Sequence, residues 1–209
     1  MSGEMLQSFF ESVSGQITTV VVIFLLLVLV MRTNEKKNDV SVLVKTAILV
    51  GLTFVLNHVT LFRMPQGGSV TAFSMFTIFL VAYLFGPRQG VLAGMAYGLI
   101  DLVLNPYVIH PMQIFLDYPL AFGAIGIGGL LRNKKLGIFY GYLLGVLGRY
   151  LVVVLSGIIF WGEYAAEGFN AVSWSFFYNM TYILPEAVVT IAILLIPQLR
   201  SLFDRYKIK

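Results

Sequence analysis

The sequence between residues 112 and 122 reads Met112-Gln113-Ile114-Phe115-Leu116-Asp117-Tyr118-Pro119-Leu120-Ala121-Phe122, and it stays apolar to Leu131. A run of this length can cross a lipid bilayer. A carboxylate at membrane depth costs roughly 2.5–3.5 kcal/mol on insertion scales, so it usually faces a cavity, a partner or a ligand. Because Tyr118 and Pro119 add a phenol and a backbone break beside Asp117, the stretch predicts a polar site inside the membrane.

Composition agrees with this interpretation. The chain is 58% hydrophobic and 11% charged, with a mean hydropathy of +0.87, which indicates an all-α integral membrane protein. The absence of cysteine excludes disulfides, thiolate nucleophiles and cysteine metal sites. The sequence also has no G-x-x-x-x-G-K-[ST] loop, so the chain cannot hydrolyse nucleotides by itself. We expect no metal and no resident cofactor.

Seven apolar segments are predicted as helices. They cover residues 16–32, 40–62, 70–86, 88–104, 112–131, 136–161 and 173–199. Short connections between them predict antiparallel neighbours in one bundle. The first segment follows acidic residues and precedes basic ones, the reverse of a cleavable signal peptide. We therefore divide the chain into an extra N-terminal anchor helix with its linker, residues 1–37, and a six-helix membrane domain, residues 38–209.

Lysine and arginine predict the orientation. With the N-terminus outside, twelve basic residues lie on the cytoplasmic side and Arg63 lies outside. The twelve are Arg32, Lys36, Lys37, Lys45, Arg88, Arg132, Lys134, Lys135, Arg200, Arg205, Lys207 and Lys209, and the acidic Glu4, Glu11, Glu163 and Glu167 lie outside. The sequence thus predicts a multi-pass membrane protein with a cytoplasmic C-terminus. Because topology accounts for the basic charge, nucleic-acid binding is not expected.

Polar residues of three helices lie at matching depth. On the last helix Ser175, Asn179, Tyr182 and Glu186 share one face. Asn179 lies as deep as Asp117, and Gln113 lies one turn above Asp117. The sixth segment presents Arg149, Val153, Ser156, Gly157, Phe160 and Trp161 on one face. This arrangement predicts an outward-opening pocket for a cationic or amino-bearing aromatic ligand, bound by ion pairing and cation–π contact.

Several of these residues have simpler interpretations. Trp161 and Trp174 lie at the outer interface, where tryptophan is enriched in any case. Asn179 could serve merely to hydrogen bond a neighbouring helix rather than a ligand. Arg149 and Glu186 both lie near the midplane, so we predict a structural ion pair between them.

A set of longer motifs points to one family. The motifs are Leu61-Phe62-Arg63-Met64-Pro65-Gln66-Gly67-Gly68-Ser69-Val70, His110-Pro111-Met112-Gln113, Asp117-Tyr118-Pro119-Leu120-Ala121-Phe122-Gly123, Gly148-Arg149-Tyr150, Ser156-Gly157, Tyr178-Asn179 and Leu184-Pro185-Glu186. Over residues 40–200 the chain resembles the thiamin-specific S-components of energy-coupling factor (ECF) transporters. The resemblance implies a six-helix subunit of a prokaryotic plasma membrane that captures thiamin outside. A transmembrane coupling subunit and two ATPases would then drive its release inside.

The resemblance also implies residue roles. The family's acidic residue and tyrosine match Asp117 and Tyr118, its stacking aromatic matches Trp161, and its binding asparagine matches Asn179. We expect Trp174, Gln113 and Tyr182 to complete the substrate site. The segment Met64, Pro65, Gln66, Gly67, Gly68 and Ser69 corresponds to the loop that covers it. Ala47 and Gly51 match the small-xxx-small contact with the coupling subunit.

Two positions depart from the family pattern. Val153 stands where relatives commonly carry a binding histidine, and Trp174 stands where they carry a tyrosine. A thiamin precursor or analogue is therefore the alternative substrate. Two other classes remain as rivals, an ion-coupled carrier and an intramembrane enzyme using Ser156, His110 or Asp101. We expect a binding and transport protein that does no chemistry on its ligand.

Overall fold

The computed structural model describes residues 8–10, 12–32, 39–65 and 67–207. Several predictions fall outside these ranges. They concern Glu4, Glu11, Lys36, Lys37, Gln66, Lys209 and the boundary between residues 37 and 38.

Eight main helices and one small hairpin organise the described residues. The helices are α1 (Val13–Met31), α2 (Val40–His58), α3 (Ser74–Phe85), α4 (Pro87–Leu104), α5 (Pro111–Leu131), α6 (Gly137–Phe160), α7 (Ala171–Leu194) and α8 (Pro197–Tyr206). The hairpin consists of β1 (Thr60–Arg63) and β2 (Ser69–Thr71), which pair antiparallel. A short 3-10 helix, Gly162–Tyr164, follows α6.

Five helices are long and apolar enough to span a membrane, namely α1, α2, α5, α6 and α7. Helix α3 has 12 residues, of which 11 are buried, so it is a core helix enclosed by its neighbours. Phe79 and Tyr97 anchor this core, since both are almost wholly inaccessible to solvent. Helix α4 presents glycines to α5, and a Cβ on Gly98 would lie only 2.9 Å from the Cα of Pro119. The bundle thus brings α4 against the middle of α5.

Helix α5 is irregular along most of its length. A regular first turn, Pro111–Phe115, gives way to a π-helical segment, Leu116–Leu120, that contains Asp117 and Pro119. A further α-helical turn leads into a 3-10 segment, Ile125–Leu131. Proline lacks an N–H group and cannot continue a regular helix, and π-helical insertions occur often at functional sites.

Three predicted boundaries were wrong. The predicted segment 40–62 ends in strand β1, and the predicted segment 70–86 begins in strand β2. The two strands pair with each other across the turn between them. The segment 173–199 is not one helix. Helix α7 ends at Leu194 and α8 begins at Pro197, whose fixed backbone starts a new helix.

Helix α1 packs against α4 and α5. Its buried side is the line Gly15, Thr19, Ile23 and Leu27, spaced four residues apart. A Cβ on Gly123 of α5 would lie 3.3 Å from Cδ1 of Leu27, so the two helices are in direct contact. The rest of α1 exposes apolar side chains, as expected of a helix that faces lipid.

Candidate substrate-binding site

A cavity of about 380 Å³ lies among the hairpin, the connection after α4, and helices α5, α6 and α7. Its size falls in the usual range for small-molecule sites. All seven predicted substrate-binding residues line it: Gln113, Asp117, Tyr118, Trp161, Trp174, Asn179 and Tyr182. The structure therefore brings together residues that are up to 69 positions apart in the sequence.

The Asp117 carboxylate is held in place by Gln113. The Gln113 side-chain amide donates to Oδ2 of Asp117 at 2.6 Å and to the Tyr107 carbonyl at 3.0 Å. Its carbonyl oxygen accepts from the Ile109 N–H at 3.0 Å. Gln113 is buried and fully engaged, so it orients the acid and fixes the connection before α5. Asp117 and Arg149 both line the cavity.

Tyr118 is also engaged by the protein. Its hydroxyl accepts from the Tyr107 N–H at 2.7 Å and donates to the Asn105 carbonyl at 3.1 Å. The phenol ring lines the cavity, while its oxygen ties α5 to the connection after α4. We infer that Tyr118 shapes the wall more than it hydrogen bonds a ligand.

Helices α6 and α7 meet through a polar contact beneath the cavity. The Asn179 amide donates to the Ser175 carbonyl at 2.9 Å, and its oxygen accepts from the Tyr182 hydroxyl at 2.6 Å. The Ser175 hydroxyl donates to the Val154 carbonyl at 2.8 Å. Gly157 makes this approach possible, because a Cβ there would lie 3.0 Å from the Cβ of Ser175.

Aromatic rings form the outer walls. Trp161 is stacked on Tyr107, with ring centroids 5.4 Å apart and an interplanar angle of 16°. Trp174 lies 5.6 Å from Tyr178 in a tilted arrangement. Tyr107 and Tyr178 line the cavity and were not among the predicted substrate-binding residues. Tyr178 lies on the Ser175–Tyr182 face of α7, a signal that was available, whereas Tyr107 lies in a connection without periodicity.

The hairpin turn lies over the cavity and contacts both of its sides. Met64, Pro65, Gly67, Gly68 and Ser69 all line the cavity. A Cβ on Gly68 would overlap the Tyr182 ring, and one on Gly67 would lie 3.0 Å from the Tyr107 ring. Glycine is therefore needed at both positions for this closed arrangement. Gln66, the remaining member of the predicted loop, is outside the described residues.

The predicted ion pair between Arg149 and Glu186 is wrong. Among the described residues, the oppositely charged side chains that approach within 4.0 Å of each other are Lys207 and Asp204, not Arg149 and Glu186. Glu186 accepts from the Thr71 hydroxyl at 2.6 Å and from the Met75 N–H at 2.7 Å. The Arg149 guanidinium lies over the Phe122 ring, 4.1 Å from its centroid. Unpaired N–H groups at the start of α3 attract the carboxylate, and the aromatic face attracts the cation.

Two polar residues outside the predicted substrate-binding set also lie at the cavity. Asp101 and His58 line it, with Asp101 accepting from the Asn57 and Asn105 amides at 3.2 and 3.1 Å. His110 instead accepts from the Met112 N–H at 3.1 Å and stacks on Phe160. No group of three or more histidine, aspartate or glutamate side chains suited to a metal occurs in the described ranges.

Known proteins similar to this chain share one description. A family model described as thiamine transporter protein matches residues 43–203, which begin after α1. The chain is 32% identical to thiamine transporter ThiT of Bacillus subtilis (strain 168), covering 77% of this chain and 91% of that relative. It is 26% identical to thiamine transporter ThiT of Lacticaseibacillus paracasei, covering 76% and 87%.

One solved structure supports the fold. ThiT from Listeria monocytogenes superposes with a TM-score of 0.63 at 23% identity, covering 77% of this chain and 97% of that one. The predicted all-α membrane fold and the predicted S-component resemblance are thereby confirmed. The relatives are named as transporters, so the expected transport role, as opposed to an enzymatic one, is confirmed as well. The chain belongs to the thiamine transporter protein family.

Proposed function

We propose that this chain is the thiamin-binding S-component of an ECF importer, which captures its substrate at the outer face of the plasma membrane. The observation that carries the proposal is the Asp117 carboxylate in a cavity walled by Trp161, Trp174 and Tyr107. Membership of the thiamine transporter protein family supports the same substrate.

The chemistry of the cavity suits thiamin. Thiamin has a cationic thiazolium ring and an aminopyrimidine ring, both flat. Asp117 supplies an ion-pair or hydrogen-bond acceptor, and the two tryptophans supply faces for stacking and cation–π contact. Asn179 is the next polar group along the wall and is held rigid by Tyr182 and Ser175.

The alternative substrate is a thiamin precursor or analogue. Val153 lines the cavity where family members commonly carry a histidine, so one hydrogen-bonding group is replaced by an apolar one. A ligand without the polar group that the histidine would contact fits this wall equally well. A titration with pyrimidine and thiazole precursors distinguishes the two substrates.

Transport requires partners, which we propose dock on α2. Ala47 and Gly51 lie exposed on one face of this helix, and a Cβ on Gly51 would have no atom within 4 Å. Small residues on an open helix face let another helix approach closely. We assign this face to the transmembrane coupling subunit, which would work with two ATPases because the chain has no nucleotide-binding loop.

Two other functions have less support. An ion-coupled carrier would import thiamin alone in liposomes under a proton gradient. An intramembrane enzyme would need His110 or Asp101 to activate the Ser156 hydroxyl, which makes no hydrogen bond to either in the described structure. The His110 ring instead accepts a hydrogen bond from the Met112 N–H and stacks on the Phe160 ring.

The test is a thiamin titration monitored by tryptophan fluorescence, because Trp161 and Trp174 are the only two tryptophans in the chain. We expect saturable quenching. Asp117→Asn should weaken binding about 10- to 100-fold, since a charged hydrogen bond contributes about 1.5–3 kcal/mol. Asp39→Asn, at an α2 N-cap whose side chain makes no capping bond, is the matched control.

The outcomes separate the proposals. Quenching by a precursor but not by thiamin keeps the S-component class and changes the substrate. No response to any related ligand contradicts the proposed function. Gly51→Leu should leave binding intact and abolish uptake when the coupling subunit and ATPases are present; unchanged uptake would reject the docking face.

A further inference from the structure

A second cleft, of about 600 Å³, lies at the opposite end of the bundle from the substrate cavity. It is formed by the turn before α6, the end of α3 and helix α8. The cleft carries four cationic side chains, Lys134, Lys135, Arg200 and Lys207, and one carboxylate, Asp204. Its charge is therefore strongly positive.

The carboxylate does not balance this charge. Asp204 accepts a hydrogen bond from the Tyr83 hydroxyl and lies 3.7 Å from Nζ of Lys207. Lys207 also donates to the Arg132 carbonyl at 2.9 Å. Asp204 and Lys207 thus serve to hold α8 against the end of α3. They leave three cations of the cleft without a carboxylate partner.

Those three cations are available to an anion. Lys134 and Lys135 are exposed, and neither has a carboxylate oxygen within 4.0 Å in the described ranges. The Nε–H of Arg200 is buried and has no acceptor, and one terminal nitrogen makes only a 3.5 Å contact with the Leu195 carbonyl. An unused guanidinium edge beside two ammonium groups suits the tetrahedral oxygens of a phosphate.

Helix α8 indicates where such a phosphate comes from. It is amphipathic, with Phe203 packed 5.6 Å from the Phe76 ring, while Leu202 and Tyr206 stay 43% and 69% exposed. Apolar side chains exposed beside cations at the end of a spanning bundle match the boundary between lipid headgroups and acyl chains. A soluble phosphate would use the cations but not these side chains.

We propose that the cleft binds the phosphate of an anionic phospholipid headgroup, with Lys134, Lys135 and Arg200 as its ligands and the exposed side of α8 against the acyl chains. Juxtamembrane lysine and arginine clusters attract anionic lipids in this manner. The lipid would hold α8 at the membrane surface. Nothing in the substrate cavity takes part in this site.

The test uses the full chain purified in a neutral detergent. Dioctanoyl phosphatidylglycerol, dioctanoyl phosphatidylcholine and inorganic phosphate are titrated separately, with bound lipid counted by native mass spectrometry and stability followed by thermal unfolding. We expect saturable binding and a rise in Tm with phosphatidylglycerol only. Equal binding of phosphatidylcholine would overturn the proposal. An equal response to inorganic phosphate would show that the cleft binds a soluble anion, and it would overturn the proposal that the ligand is a lipid.

Variants locate the site. Lys134→Gln with Lys135→Gln should weaken phosphatidylglycerol binding roughly 25-fold, from about fivefold for each cation at a membrane surface. Arg200→Gln should remove the Tm rise with little change in the lipid-free Tm. Arg88→Gln is the matched control, because Arg88 is an exposed cation at the start of α4 outside the cleft. Unchanged binding in the double variant, or an equal loss in the control, would overturn the assignment.

Discussion

Glu186 of α7 accepts a hydrogen bond from the backbone N–H of Met75, in the first turn of α3, at 2.7 Å. Its other oxygen accepts from the Thr71 hydroxyl of β2 at 2.6 Å. The first N–H groups of a helix have no partner within the helix, and a negative charge there is favourable. One carboxylate therefore joins the last long helix to the hairpin and to the core helix.

This arrangement predicts that Glu186→Ala lowers the unfolding free energy by about 1–3 kcal/mol, because two buried donors lose their acceptor. Thermal unfolding in detergent measures it. Glu167→Ala is the control, since Glu167 is exposed and remote from α3. A melting temperature equal to that of the control variant would contradict the capping role.

A double variant tests the absence of an ion pair. Arg149 contacts the Phe122 ring and Glu186 contacts α3, so Arg149→Leu and Glu186→Ala should have additive effects on stability. A contact ion pair would instead make the double variant less harmful than the sum of the single ones. The unfolding temperatures of four proteins, the unmodified chain, the two single variants and the double variant, complete the cycle and distinguish these cases.

Gly157→Ala should separate α6 from α7. The new Cβ would lie 3.0 Å from the Cβ of Ser175, and forcing atoms into a packed contact costs about 1–3 kcal/mol. We expect a lower melting temperature and weaker thiamin binding, because Asn179 is fixed by Ser175. Gly51→Ala is the matched control, because it lies in open space within a helix and should not lower the melting temperature.

Gly67→Ala should accelerate ligand release. Gly67 has φ +95°, and a Cβ there would lie 3.0 Å from the Tyr107 ring, so a side chain both strains the turn and pushes the hairpin from the cavity. Gly168 has φ +86° with no atom within 4 Å of a Cβ, so Gly168→Ala imposes the strain alone. Stopped-flow fluorescence should show a faster dissociation rate in the first variant only. Equal rates in both would mean that the hairpin does not retain the ligand.

Gln113→Leu should lower thiamin affinity about tenfold, since the hydrogen bond that orients Asp117 is lost while the carboxylate remains. Gln198→Leu, on the exposed side of α8, is the control. Equilibrium titration measures both. An affinity equal to that of the unmodified chain would show that Asp117 needs no support from Gln113.

The chain has no cysteine, so single cysteine variants report topology without background. We expect Ser14→Cys to react with a membrane-impermeant maleimide in intact cells. Lys135→Cys should react only after the membrane is opened, because basic residues favour the cytoplasmic side. The reverse pattern would place the C-terminus outside.

The sequence was sufficient for the residues that share a helix face. Gln113 and Asp117 on α5, with Ser175, Asn179 and Tyr182 on α7, were predicted from spacing and depth, and the structure places them around one cavity. Periodicity works here because a regular helix repeats every 3.6 residues. The roles of these residues toward a ligand remain predictions.

Residues outside regular helices were not predictable in the same way. The hairpin was not predicted, because its strands continue the apolar segments of α2 and α3 in the sequence. A short apolar run fits a strand or a helix equally well. Tyr107 reaches the cavity from a connection whose path depends on the hydrogen bonds of Gln113 and Tyr118. From charge and depth, Arg149 was predicted as the ion-pair partner of Glu186. The sequence does not reveal that the backbone N–H of Met75 donates to this carboxylate instead.

Helix α1 bears on how α5 is accommodated in the membrane. The π-helical and 3-10 segments of α5 depart from the regular backbone pattern, which is tolerated at membrane depth only where protein covers it. Because α1 packs on α5, it supplies part of the protein surface that covers these irregular segments. The N-terminal helix thus acts as a shield that keeps lipid from part of an irregular backbone.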